Sequence, residues 1–126
     1  MKLSLLLGIL IFPFLGFSQH DPAQVEAWVN EVYLDCPSYI TTDAMLEYKS
    51  LANRYTYIFD ANMSTESITG NLNQMIVKDK CNSGLRRDVE SATAINPFKY
   101  FIDFYSKEKQ IIKVGNTNHY MIINQL

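Results

Sequence analysis

The chain is poor in the residues that most enzymes depend on. It holds two histidines, two cysteines, one tryptophan and five glycines in 126 residues. Histidine is the usual proton carrier near neutral pH, and neither histidine here has a companion set. His20 falls where the folded part begins and where fraying is expected. His119, beside Tyr120, reads as a strand-edge or turn residue. Gly8 and Gly16 lie in the first apolar run, so little is left for a glycine-rich phosphate loop. Ser38, Ser64, Ser83 and Ser106 sit in loop or cap settings. None has the flanking glycines of a Gly-x-Ser-x-Gly elbow. Two cysteines with no histidine at ligand spacing do not make a zinc site. The pattern predicts no catalytic residue, no cofactor and no metal.

An excess of one charge is also missing. Leaving out Lys2, ten Lys and Arg face thirteen Asp and Glu, and the signs are interspersed. There is no basic footprint for nucleic acid and no polybasic membrane patch. Only one long apolar run exists, residues 3–17 behind Lys2. It is too short to cross a bilayer comfortably, which takes about 20 residues. Gly16-Phe17-Ser18 offers small residues at the two positions a signal peptidase reads. Cleavage near Ser18/Gln19 is therefore expected, with an uncleaved anchor or a buried helix as the alternative. No cysteine lies near the cut to carry a lipid. Residues 1–18 read as a signal peptide and residues 19–126 as a single small domain, periplasmic or secreted, with no transmembrane segment.

What remains is rich in aromatics: Trp28, eight Tyr and four Phe. An even cysteine count in an exported chain argues for one disulfide, Cys36 to Cys81, and two separate thiols are the alternative. Closing a loop of 45 residues stabilises by roughly 4 kcal/mol in the chain-entropy model.

Asp21-Pro22 opens a helix, with Asp21 as cap and Pro22 at the first position. Val25, Trp28, Val29 and Val32 make its apolar stripe. It should end near Asp35, because Pro37 disfavours helical geometry at Cys36. Residues 44–48 read as a strand, and residues 54–60 as a second that pairs with it. In that second strand Tyr55, Tyr57 and Phe59 share a face. Ser64 should cap a helix over residues 64–80, stapled by Met63 and Ile68 and buried through Ile68, Leu72, Met75 and Ile76. Ser83 should cap a shorter helix over 84–92, with Leu85 and Val89 inward. Residues 98–105 and 110–114 read as a β-hairpin around the turn 106–109. Phe98, Tyr100, Ile102 and Phe104 take its core face. Lys99, Phe101, Asp103 and Tyr105 take a mixed, partly exposed face. Gly115-Asn116 should turn the chain, and residues 119–124 add a last strand. The fold class is α+β: an N-terminal helix, an antiparallel sheet of about four to five strands, and helices packed on one face.

Few polar groups suggest chemistry. Asp103 and Glu108 could approach each other, but a glycosidase pair also needs a cleft. Beside Lys99 and Lys109 they read as solvated carboxylates. Arg86-Arg87 is the sharpest basic spot and could grip a carboxylate or phosphate in bidentate fashion. Asp88 and Glu90 beside it argue for a solvated face. Asn62-Met63-Ser64 fits a glycosylation acceptor, although Ser64 is read as a cap. The run from Gln110 to Gly115 misses the Gln-x-Val-x-Gly spacing of cystatin inhibitors by one residue and is set aside.

Cys81-Asn82-Ser83-Gly84-Leu85-Arg86-Arg87, then the alternating aromatic run 98–105 and a charged turn, resembles a group of small exported proteins of unknown function in Gram-negative bacteria. Those show Cys-x-x-x-Leu-Arg and Tyr-x-Tyr strands, here matched by Tyr55-Thr56-Tyr57. The turn 106–109 lacks their glycine. There is also no late cysteine, which leaves Cys36 as the partner for Cys81. The resemblance implies an exported α+β domain with no known activity. The expectation is a small non-enzymatic exported domain that binds another exported protein or an envelope component. The alternative is an inhibitor or immunity-type protein that blocks an enzyme cleft with the loop 106–109.

Overall fold

A computed structural model describes residues 20–126. The leader and its cleavage site lie outside the described residues. Two α-helices and a four-stranded sheet make an α+β fold. Helix α1 is Pro22–Val32, capped as expected by Asp21, whose side chain accepts the Ala23 N–H. It stops at Val32, three residues short of Asp35, and Tyr33 closes it through its N–H to the Val29 carbonyl. Val25, Trp28, Val29 and Val32 are all buried.

Residues 44–48 are not a strand. They belong to helix α2, Thr42–Ala52. Thr41 caps it by accepting the Ala44 N–H at 3.1 Å, Asp43 sits in the first turn and Lys49 in the last. Each of these suits a helix dipole. Met45, Tyr48 and Ala52 then fall on one helical stripe against the core, and α2 packs on α1.

The strands are β1 (Tyr55–Ile58), β2 (Gly70–Asn71), β3 (Gln110–Lys113) and β4 (Tyr120–Ile123), in the order β1-β4-β3-β2. β1 pairs antiparallel with β4 rather than with residues 44–48, and β4 pairs antiparallel with β3. β2 pairs parallel with β3, so the sheet is mixed rather than wholly antiparallel. The turn at Gly115 is present, with φ +59°. The positive φ is what favours glycine there, and a Cβ would in addition push aside the Glu90 side chain.

The predicted hairpin of residues 98–105 with 110–114 does not form. Both edges of β3 are taken, by β4 and by β2, so no edge is left for residues 98–105. That run starts as a 3-10 turn, Pro97–Lys99, and then makes only an isolated bridge, Tyr100 to Val77. Neither predicted helix between residues 64 and 92 forms. Thr65–Ser67 and Leu72–Gln74 are single 3-10 turns, and the Asn71 side chain takes the Asn73 N–H. The Arg87 guanidinium donates to the carbonyls of Leu72 and Met75, both at 2.6 Å. Side chains thus serve backbone groups that a helix would have bonded internally. Ile76 and Val89, expected inside, are 69 % and 64 % exposed.

One core joins α1 to the sheet face that carries Tyr55, Ile112, Met121 and Ile123, together with Leu72, Phe98 and Phe104. Trp28 meets Tyr55 and Phe98 edge-on, with centroids 6.0 and 6.4 Å away. Cys36 and Cys81 form a disulfide, their Cα atoms 5.4 Å apart. The bridge ties the segment after α1 to an irregular stretch, not to the end of a second helix. The Asp35 N–H donates to the Cys81 carbonyl at 2.8 Å and reinforces the same junction. Among the described residues, no helix is long and apolar enough to cross a membrane.

Candidate functional site: the face around Phe101

Alternation along residues 100–105 survives without a ladder. Tyr100 and Phe104 are buried and Ile102 packs on the core. Phe101 and Tyr105 point outward, 65 % and 52 % exposed. Lys99, expected on the outward face, is the exception and is buried. The segment is held at its start by the Lys78 N–H, which donates to the Lys99 carbonyl at 2.7 Å. Further on, the Gln110 side chain donates to the Asp103 carbonyl at 2.7 Å.

Phe101 therefore stands as a ridge between two hollows. One, of about 400 Å³, lies between α2 (Glu47, Tyr48, Leu51) and the strand-like run (Ile102, Phe104, Tyr105). The other, of about 190 Å³, is lined by Tyr33, Tyr39, Cys81 and Phe101 itself. Lys78 borders both, with its ammonium 5.6 Å from the Phe101 ring centre. Such a contact contributes about 0.5–1 kcal/mol at an exposed site. At the far end the Tyr105 hydroxyl donates to the Glu47 carboxylate. The face thus has Phe101 and Lys78 at its middle, with Lys80 bordering the smaller hollow and Glu47 and Asp103 the larger.

Beneath it lies a polar network that the sequence reading missed. Lys99 places its ammonium 3.2 Å from Asp88, 3.7 Å from Glu31 and 2.9 Å from the Arg86 carbonyl. Asp88 also accepts the Tyr100 hydroxyl at 2.6 Å, and its own N–H donates back to that oxygen. Asn96, buried, donates to the Trp28 carbonyl and to Glu31. Arg87 and Asp88 are therefore structural, both spent on internal partners, while the Arg86 side chain is exposed as expected and meets only the carbonyls of Ser83 and Leu85. The available signal was a lysine inside an aromatic run with an acid eleven residues earlier.

The hydroxyls that shift all shift upward. Burial, then the hydrogen bond with Tyr33, raises Tyr48. Burial, then the bond with Asp88, raises Tyr100. Burial alone is the main cause at Tyr55 and Tyr57. These four groups stay neutral donors and supply neither acid nor base near neutral pH.

The two histidines lie apart from this face. His119 accepts the Asp60 N–H through Nδ1 at 3.2 Å and packs edge-on to Phe59 and Tyr57. His20 is not frayed: it stacks on Tyr55 and donates to the Tyr55 carbonyl at 2.8 Å. Asp103 and Glu108 are exposed, and Ser106 bonds with the main chain of Glu108. Asn62 is exposed, and Ser64 makes no cap bond through its side chain. No group of three or more acids, histidines or cysteines able to hold a metal occurs among the described residues. Against known protein families, curated proteins and solved structures the chain gives no match.

Proposed function

We propose that this chain is a small exported, non-enzymatic domain that binds another protein of the cell envelope through the face around Phe101. The observation that carries the reading is the ridge itself. A phenylalanine 65 % exposed, with a larger mixed hollow on one side and a smaller apolar one on the other, loses water only when a partner covers it. An aromatic centre with charged flanks is the anatomy of an anchor residue in a protein interface. The leader, read from sequence, places the mature chain in the periplasm or outside the cell after cleavage near Ser18/Gln19. The disulfide is compatible with that oxidising setting. The partner is a protein or envelope component and not nucleic acid, because no basic footprint exists.

The test is a photo-reactive residue at position 101 in the full chain expressed in its cell, with a matched probe at exposed Val89. A defined adduct at position 101, absent at Val89 and lost in Tyr105→Ala, is the expected outcome. Equal labelling at both sites, or none at 101, rejects the reading.

A second reading, an inhibitor or immunity-type plug, draws support from the turn 106–109. Ser106 braces the turn from within, and the Leu126 N–H donates to the Ser106 carbonyl at 3.0 Å. Lys107, Glu108 and Lys109 are left exposed. Replacing the four residues with Gly and Ser abolishes partner binding on this reading and leaves it intact on the first.

A further inference from the structure

The sheet has two outer edges, β1 and β2. β2 is two residues long and runs straight into the Leu72–Gln74 turn, so it offers little room. β1 is four residues long, Tyr55-Thr56-Tyr57-Ile58, with no charge and no proline. Proteins usually blunt an open edge with lysine, proline or a bulge, and β1 carries none of these along its length.

Its register shows which groups face outward. The Asn124 N–H donates to the Arg54 carbonyl at 2.7 Å. Alternate residues of an antiparallel strand bond to the same neighbour, so Arg54, Thr56 and Ile58 turn toward β4 while Tyr55 and Tyr57 turn away. His20 fits this alternation, since it bonds the outward carbonyl of Tyr55. The N–H and C=O of Tyr57 have no main-chain partner among the described residues. Beside them opens a hollow of about 360 Å³ lined by Trp28, Tyr57, Phe59 and Thr93 with His20 and Gln24 at its polar side, and by no Asp, Glu, Lys or Arg.

We propose that the outer edge of β1 accepts an extended peptide segment of another protein as a fifth strand. The segment pairs with the Tyr57 main chain and sets a large uncharged side chain in the hollow. An outward donor and acceptor on one residue call for another extended backbone rather than a helix or a small ion. With aromatic rings dominating the lining and no Asp, Glu, Lys or Arg in it, the hollow favours an aromatic or other large uncharged side chain, because an ion would lose its hydration there without a counter-ion. A second copy of this chain is a poorer occupant. An edge of four residues is about 13 Å long, too little for the roughly 1,200 Å² of a stable protein pair. The surface shares no residue with the hollows beside Phe101.

The experiment uses the wild-type folded chain and two probes. One is the peptide acetyl-Thr-Val-Thr-Phe-Thr-Val-Thr-amide. The other is the same peptide N-methylated at every residue, which has lost the residue N–H groups of a strand ladder and cannot dock edge to edge. Amide hydrogen exchange is followed residue by residue. The plain peptide, at about 1 mM, should slow exchange at the Tyr57 N–H by about tenfold and shift the Trp28 indole signal. The methylated peptide should do neither. Three results overturn the proposal: unchanged Tyr57 exchange, equal effects of both peptides, or slowing that follows protein concentration without peptide. The last would assign the edge to self-pairing.

Discussion

Asp88 is the group whose removal should do most damage for its size. Its carboxylate accepts from the Lys99 ammonium at 3.2 Å and from the Tyr100 hydroxyl at 2.6 Å. The two ionic side chains are 9 % and 13 % exposed for Lys99 and Asp88 respectively. Asp88→Ala strips Lys99 of its near counter-ion and leaves Glu31, half-exposed and 3.7 Å away. It also leaves the buried Tyr100 hydroxyl without its acceptor. Breaking a buried pair from one side costs about 3–5 kcal/mol. Partial relief through Glu31 and residual water places the expected loss near the lower end, about 3 kcal/mol. That is a large share of the roughly 5–15 kcal/mol that holds a domain together. Urea unfolding should show a lower midpoint at unchanged slope. Adding Lys99→Met to Asp88→Ala removes the stranded charge and should restore about 2 kcal/mol. If Asp88→Ala costs under about 1 kcal/mol, or the double variant loses the sum of the singles, the network does not hold the face as described.

Three further outcomes are expected. Cys36→Ser or reductant should lower stability by about 4 kcal/mol, the loop-closure value for the 45-residue separation, read as a fall in Tm of the reduced protein. Gly115→Ala should cost about 2 kcal/mol, because φ +59° disfavours any side chain and the new methyl meets Glu90; pairing it with Glu90→Ala should recover the steric part only, in a denaturation cycle. Tyr48, Tyr55, Tyr57 and Tyr100 have folded pKa values raised by burial first. Their stabilising contribution is therefore fully present below about pH 10 and is lost as pH climbs through the folded values. An absorbance titration should show Tyr48, Tyr55 and Tyr100, three of the eight tyrosines, ionising only as the chain unfolds, with Tyr57 shifted upward less.

Helix α1 was legible because every local rule agreed: cap, proline and a four-residue stripe all name the same segment. β1, β4 and the Gly115 turn were legible for a similar reason, since alternation and a breaker coincide. Helix α2 was misread because Ala44-Met45-Leu46-Glu47-Tyr48 is short enough to satisfy either period. Only Thr41 before it, which donates no apolar signal but caps the backbone, separates the two. Residues 64–92 defeated local rules for another reason. Carbonyls that a helix would have bonded internally, those of Leu72 and Met75, are served by Arg87 from fifteen and twelve residues away, and a partner that distant leaves no periodic trace.

The misread hairpin bears most directly on the candidate site. Residues 98–105 have strand composition and strand alternation, yet β3 has no free edge for them, because the parallel pairing of Gly70–Asn71 fills the side that β4 leaves. Strand pairing depends on which segment reaches that edge, and Thr69 secures it for β2: its N–H and hydroxyl both meet the main chain of Ile111. The displaced run keeps its inward anchors, Tyr100 and Phe104, and loses only the ladder. Its outward side chains are thus held in place without a neighbouring strand to cover them. The same competition that made the sequence misleading leaves Phe101 and Tyr105 standing clear of the sheet, and it is why the mixed face read from alternation is still the exposed face of the folded chain.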